Sequence, residues 1–168
     1  RNILSRQAGV EGAAYASEVV GQGAAFTSNS DVLGKSFGEA GSKIVDMQVV
    51  GSDYLSLIET KLLAGRHFKY ESDSQSLIIN RMAMELYEFE SPEAAISQRI
   101  VFPGSGDTLR IVAVIEDFLQ QSAREGLHPS VFRNNHWELS KVVVKVTEGY
   151  RNELIDFARE EHAKLFPK

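Results

Sequence analysis

The chain has 168 residues, 43% of them apolar, no cysteine and a net charge of −5. That length can bury a real core in one domain or two small lobes, and the acidic balance argues against a nucleic-acid or anionic-membrane surface, which normally carries a basic patch. Without cysteine there is no disulfide, thiolate zinc site or thiol nucleophile, while cytosol and periplasm both stay open as compartments. No apolar run approaches the ~20 residues that span a bilayer, and no signal peptide opens the chain. Arg1 stands where an initiator Met is expected, so the chain reads as an excised or processed segment.

In chain order, Asn2 to Gln7 reads as a short helical turn ending near Gly9, followed by a weak, Ala-rich strand from Val10 to about Val19. Gly21 to Gly41 holds five glycines with Ser and Asn and little periodicity, which reads as a long mobile loop. Gly21-Gln22-Gly23 is no dinucleotide fingerprint, because Phe26 occupies the place of the third glycine. From Ile44 to Val50 the apolar positions alternate, with Val45, Met47 and Val49 on one face and Asp46 and Gln48 on the other, the pattern of a half-buried strand. Gly51 breaks it, and Ser52 or Asp53 can cap a helix whose Tyr54, Leu55, Ile58 and Leu62 form one apolar stripe. Gly65 suits the left-handed position just past that helix.

Leu77-Ile78-Ile79 reads as a short buried strand leading into a helix over Asn80 to Leu86, its methionines taken as core. Ser91-Pro92-Glu93 starts another short helix, ending near Ile96: a cap, a proline at the first position and a carboxylate at the positive end of the dipole. Arg99 to Phe102 and Leu109 to Phe118 form a hairpin across the turn-rich Pro103 to Asp107. Pro129 to Phe132 reads as a brief edge strand. Leu139 to Val146 is a strong strand with Val142, Val144 and Val146 inward and Lys141 and Lys145 outward, in a sheet with one wet face. A helix from about Arg151 to Leu165 closes the chain, stopped by Phe166-Pro167.

Uneven alternation of strands and helices with an antiparallel hairpin makes the class α+β. The region 71–118 reads as a smaller β-rich lobe set into a main lobe built from 1–70 and 119–168.

Chemistry is sparse. The histidines His67, His128, His136 and His162 are scattered, with no i, i+4 pair of the kind a helical metal site uses. Glu116 and Asp117 are adjacent on a strand end and point to opposite faces, so they do not share a proton; Asp117 is expected to cap the next turn or helix. Ser122 lacks a G-x-S-x-G frame and a nearby base. Arg66 can hold a carboxylate or phosphate in a bidentate fork, and is more often tied to a structural carboxylate or carbonyl. Asn134-Asn135-His136-Trp137 is a contact loop or a turn, with Trp137 as its aromatic. Arg66, Asp117 and Trp137 are thus candidates for structural or interaction roles, and no catalytic, cofactor or metal site is assembled.

The order of Asp53-Tyr54-Leu55, Leu62-Leu63-Ala64-Gly65-Arg66-His67-Phe68 and Ile78-Ile79-Asn80-Arg81-Met82-Ala83 resembles the MacB-like periplasmic core domain of ABC transporter permeases in the FtsX-like group. Ser91-Pro92-Glu93-Ala94-Ala95-Ile96 resembles the segment that precedes a glycine and a strand there. Ile111 to Phe118 is similar to the family's I-V-G-V-V-x-D-F strand. Gln121-Ser122, Pro129 to Phe132 and Leu165-Phe166-Pro167 resemble the family's later segments and final helix. Ser97 and Ala113 replace two glycines of the pattern, and Leu119 stands where a His is common.

The resemblance implies a porter-like α/β lobe with a smaller inserted lobe, outside the bacterial inner membrane on the periplasmic side. It implies a non-catalytic role without cofactor, in which the transmembrane helices of the same permease move the domain and a cytoplasmic ATPase subunit or domain supplies the energy. Export of a substrate or release of a lipoprotein is the implied outcome, with a second permease copy and periplasmic proteins as partners and no nucleic acid. The alternative is an extracytoplasmic module that senses a ligand or peptide. Under the transport reading the Gly21 to Gly41 loop is expected to contact substrate or a partner, and deletion of Ser28 to Gly38 is expected to spare folding yet impair transport in the full permease.

Overall fold

The computed structural model describes residues 3–19, 26–35, 41–69, 73–119, 126–135 and 138–165. A 3-10 turn at Leu4–Arg6 leads through Gly9 into β1 (Val10–Ala16). β2 (Phe26–Val32) and β3 (Lys43–Val49) pair antiparallel, and one helical turn, α1 (Tyr54–Leu57), precedes β4 (Leu62–Gly65). β5 (Ser76–Asn80) runs directly into α2 (Arg81–Leu86), and α3 (Pro92–Ala95) precedes the hairpin of β6 (Arg99–Phe102) and β7 (Asp107–Ile115). β8 (Ser130–Arg133), β9 (Lys141–Val146) and α4 (Arg151–Leu165) complete the chain. The class is α+β. Among the described residues no helix is long and apolar enough to cross a membrane.

Seven strands share one mixed sheet in the order β4-β7-β5-β8-β3-β2-β6, and a further pairing of β6 with β7 turns the sheet back on itself. Along one edge of β7, Asp107 to Arg110 pair with β6 and Ala113 to Ile115 pair with β4, while β5 occupies the other edge. The strands β7, β5, β8, β3, β2 and β6 therefore form a closed ring. Val45, Met47, Leu77, Ile79, Ile100, Leu109, Ile111 and Val131 belong to one core, which Ala83, Met84 and Tyr87 around α2 and Ala95 of α3 complete. Intervening positions Ile78, Ala113, Ile115 and Phe132 belong to a second core, with Ala14 and Ala16 of β1 and Tyr54 and Leu55 of α1. Burial on both faces is why Leu77–Ile79 and Ile111–Ile115 are unbroken apolar runs. β1 and β9 form a separate antiparallel ribbon, bridged to the end of β3 at Ala16–Val50.

Several expectations are corrected. The 21–41 segment is not all loop, since β2 sits between β3 and β6; its inward positions include Ser30 and Val32, a hydroxyl beside one aliphatic, which leaves no apolar alternation to read. Deleting Ser28 to Gly38 would remove a strand of the ring, so it would not spare folding. β3 is buried on both faces, with Asp46 and Gln48 inside and the Gln48 Nε2 donating to Glu18 O at 2.8 Å. The α1 stripe does not continue to Leu62. Glu59 takes φ +58° and Thr60 returns its N–H and Oγ to Leu55 O, at 3.0 and 2.8 Å, which ends the helix after one turn. Neither Ser52 nor Asp53 caps it through a side chain; the Ser52 hydroxyl donates to Asp53 Oδ1 instead.

Gly65 consequently ends a strand, not a helix. β8 is an interior strand between β5 and β3, not an edge. In β9 the inward face is reversed: Val143 packs against the second core and Val142 is 38% exposed. Lys141 and Lys145 share the face of Val143 because each finds a carboxylate there, Glu18 for the first and Glu59 with Glu11 for the second. β5 of the 71–118 segment lies between β7 of the same segment and β8 of its flank.

Candidate functional site

Arg66 directly follows Gly65, the last residue of β4, and its backbone N–H donates to Val112 O at 3.1 Å. Its guanidinium forks onto Asp73, with Nη1 to Oδ2 and Nη2 to Oδ1 both at 2.8 Å, and Nη1 also donates to His67 O at 2.9 Å. Asp73 is buried and also accepts from the Lys69 N–H and, at 3.1 Å, from Ser76 Oγ. The Arg66 guanidinium holds the Asp73 carboxyl at about 2, with the Lys69 and Ser76 donors adding to it. Reciprocally, the carboxylate raises the Arg66 pKa. The fork is directed inward at a carboxylate of the same chain, tying the end of β4 to the start of β5.

Asp117 lies past the end of β7. Its Oδ1 accepts from the Met82 N–H at 3.1 Å, so it serves the first turn of helix α2, which precedes it in the chain; the segment 120–125 that follows it lies outside the described residues. Glu116 ion-pairs with Arg81 at 2.8 Å and lies 3.9 Å from Lys61. Both carboxylates therefore converge on the start of α2, because the strand has ended and alternation no longer separates them. The larger contributor at this corner is Asn80. Its Oδ1 accepts from the Ala83 and Ser130 N–H groups at 2.9 and 2.8 Å, and its Nδ2 donates to His128 O at 2.8 Å, joining β5, α2 and β8. The sequence signal for it was its place between an apolar strand and a helical stripe, the position of an N-cap.

His67 is half-buried, its Nδ1 has no hydrogen-bond partner among the described residues, and burial lowers its pKa. His128 Nδ1 lies 3.6 Å from Asp46 Oδ2, and His162 is on the exposed side of α4. Trp137, His136 and Ser122 lie outside the described residues. Among the described residues no group of His, Asp and Glu is arranged to hold a metal ion.

An open cleft of about 420 Å³ separates the ribbon from α1, lined on one side by Glu11, Gly12, Ala13 and Lys145 and on the other by Asp53, Ser56, Leu57 and Glu59. Lys145 Nζ crosses it to Glu59 at 2.6 Å and lies 3.5 Å from Glu11 on its own ribbon. The hydrogen bond from Lys145 lowers the Glu59 pKa, and the same bond raises that of Lys145. Arg66, Asp117 and this cleft are separate features, each engaging its own partners.

No family model and no curated protein matches the sequence. Solved structures do. The periplasmic region of MacB from Actinobacillus actinomycetemcomitans is similar at 16% identity and TM-score 0.64, over 96% of this chain and 72% of that one. The extracellular domain of the noncanonic ABC-type transporter YknZ from Gram-positive bacteria matches at 16% identity and TM-score 0.62, over 96% and 81%. A domain of a protein described as a permease from Porphyromonas gingivalis matches at 16% identity and TM-score 0.69, over 97% and 73%. At these identities the likeness speaks to fold, and the chain folds as a MacB-like periplasmic core domain.

Proposed function

We propose that this chain is the non-catalytic extracytoplasmic domain of an ABC transporter permease, on the periplasmic side of the inner membrane. The observation that carries the reading is the likeness over 96% of the chain to the periplasmic region of MacB and to the extracellular domain of the ABC-type transporter YknZ. Transmembrane helices of the same permease move the domain, a cytoplasmic ATPase subunit or domain drives them, and a second permease copy or periplasmic proteins meet the outer surface. The output is export of a substrate or release of a lipoprotein, by rigid-body transmission. The closed ring supports this, since a ring braced on two cores deforms little under load.

Reading the coding sequence outward from both ends of the chain tests the proposal. Apolar stretches of about 20 residues on both sides are the expected result. A stop codon after Lys168, with only a cleavable signal before Arg1, would overturn it. Saturable calorimetric binding of a peptide, lipid or antibiotic would then move the assignment to a ligand-sensing module.

A further inference from the structure

The β1–β9 ribbon is held unequally along its length. At one end it is stitched to β3: Ser17 N–H donates to Val49 O and Gly51 N–H to Tyr15 O, both at 2.8 Å, and Ala14 and Ala16 are fully buried in the second core. At the other end, Val10–Gly12 against Lys145–Val146, the register shifts at a bulge, which bends a strand and loosens its ladder. Gly12 there comes so close to α1 that an added Cβ would lie 2.5 Å from Leu57 Cδ1. The charged contact that reaches across the cleft is Lys145 to Glu59, while Glu11 offers Lys145 a second carboxylate on the ribbon itself. The terminal elements hang from this same end: Tyr150, next to α4, packs against Gly9, and Thr147 N–H donates to Gly9 O at 2.8 Å.

We infer that the distal end of the ribbon is a latched strap, fastened to α1 by Lys145–Glu59 across the cleft and released when Lys145 transfers to Glu11. Two carboxylates within reach of one ammonium make the transfer cheap, because the lysine remains paired in both positions. An exposed ion pair is weak enough to yield to a modest pull, on the order of a few-fold in its equilibrium. Glu59 closely follows α1, whose end is held by the Thr60 N–H and Oγ bonds to Leu55 O, so the latch point is carried by the body that holds α1 and not by the moving part. This deepens the proposed function, on which it rests only for the source of the pull, namely load arriving through the terminal elements.

Hydrogen exchange of the chain by itself tests the latch without any transporter. Glu59→Gln is expected to speed exchange of the Val10–Gly12 and Lys145–Thr147 amides about two- to fivefold while leaving β3 unchanged. Raising the salt to about 0.5 M is expected to do the same to the unsubstituted chain. Glu11→Gln removes one charge beside the same lysine and keeps an oxygen for Thr147 Oγ, which donates to Glu11 at 3.1 Å. It is expected to leave the ribbon end as protected as before, or more so. Equal effects from the two substitutions, no effect from Glu59→Gln, or faster exchange throughout the chain would each overturn the latch. A coding sequence without flanking apolar segments would overturn the source of load and leave these exchange results standing.

Discussion

Arg66 and Asp73 face each other fork to fork, with two bonds of 2.8 Å, and the carboxylate is only 4% exposed. A carboxyl held at about 2 against its ordinary 3.8 contributes stability that is fully present above pH ~4 and lost as the pH falls towards 2. With Arg66 partly open to solvent, the contribution is about 1–2 kcal/mol. Asp73→Asn is therefore expected to lower stability by that amount at pH 7, and the gap should close between pH 4 and 2, where the native carboxyl protonates. Urea denaturation of both proteins across this range checks it; a gap that stays constant with pH would refute the assignment.

Ser97 takes φ +70° immediately after α3, with its N–H donating to Ile111 O at 2.9 Å. A side chain in this region costs about 1–2 kcal/mol, partly offset by the extra freedom glycine has when unfolded. Ser97→Gly should thus stabilise by about 0.5–1 kcal/mol, read as a Tm rise of about 1–4 °C. A fall in Tm would mean that the serine hydroxyl contributes more than its backbone costs.

Much of this fold is legible in the sequence wherever one residue's chemistry is local. Ser91 with Pro92 marks α3, Asn80 marks the start of α2, and the turn residues between Phe102 and Asp107 mark the hairpin. What is not legible depends on partners far along the chain. β2 carries Ser30 inward because Tyr87, more than fifty residues away, supplies its partner. Leu62 to Gly65 continues a helical stripe in sequence, yet β7 captures it as a strand. The face of β9 is set by Glu11, Glu18 and Glu59, which no periodicity within Lys141–Val146 reveals. At the candidate sites, the forking chemistry of Arg66 is readable from its type, whereas Asp117 serves a helix that precedes it, because β7 returns the chain beside β5.

Gly65 has φ +82°, and an added Cβ would lie 2.1 Å from Val112 O and 2.8 Å from Ala113 Cα, both backbone atoms in the middle of β7. Gly65→Ala should cost about 2–4 kcal/mol from strain and separation of β4 from β7. Gly104, in the open β6–β7 turn, has nothing within 4 Å of such a Cβ, so Gly104→Ala should be within about 0.5 kcal/mol of neutral. Chemical denaturation of the two variants distinguishes a close-approach glycine from a glycine in open space; similar losses in both would remove the distinction.

Asn80 is buried, with both polar atoms of its side chain engaged. Asn80→Ala removes the α2 cap and leaves the Ser130 N–H facing apolar atoms, an expected loss of about 2–4 kcal/mol. Asn80→Asp keeps the two accepted bonds but loses the donor to His128 O and buries a charge near that carbonyl, so it should not rescue the fold at pH 7. A recovery by Asp equal to the native protein would show that the Nδ2 bond carries no weight.

Ser30 Oγ lies 2.8 Å from the Tyr87 hydroxyl and 3.1 Å from Lys43 O. A serine hydroxyl has one proton, which Lys43 O receives, so Tyr87 donates to Ser30. The two substitutions are consequently unequal. Tyr87→Phe removes a donor and leaves Ser30 bonded to Lys43, at a cost of about 0.5–1.5 kcal/mol. Ser30→Ala strands a buried phenol whose pKa burial already pushes upward, and it also takes a donor from Lys43 O, at a cost of about 1.5–3 kcal/mol. The double variant should cost less than the sum, because once the phenol is gone the alanine leaves one fewer polar group unsatisfied. A double-mutant cycle by urea denaturation is expected to give a coupling of about 1 kcal/mol. Strict additivity would mean that β2 is not held to the core through this pair.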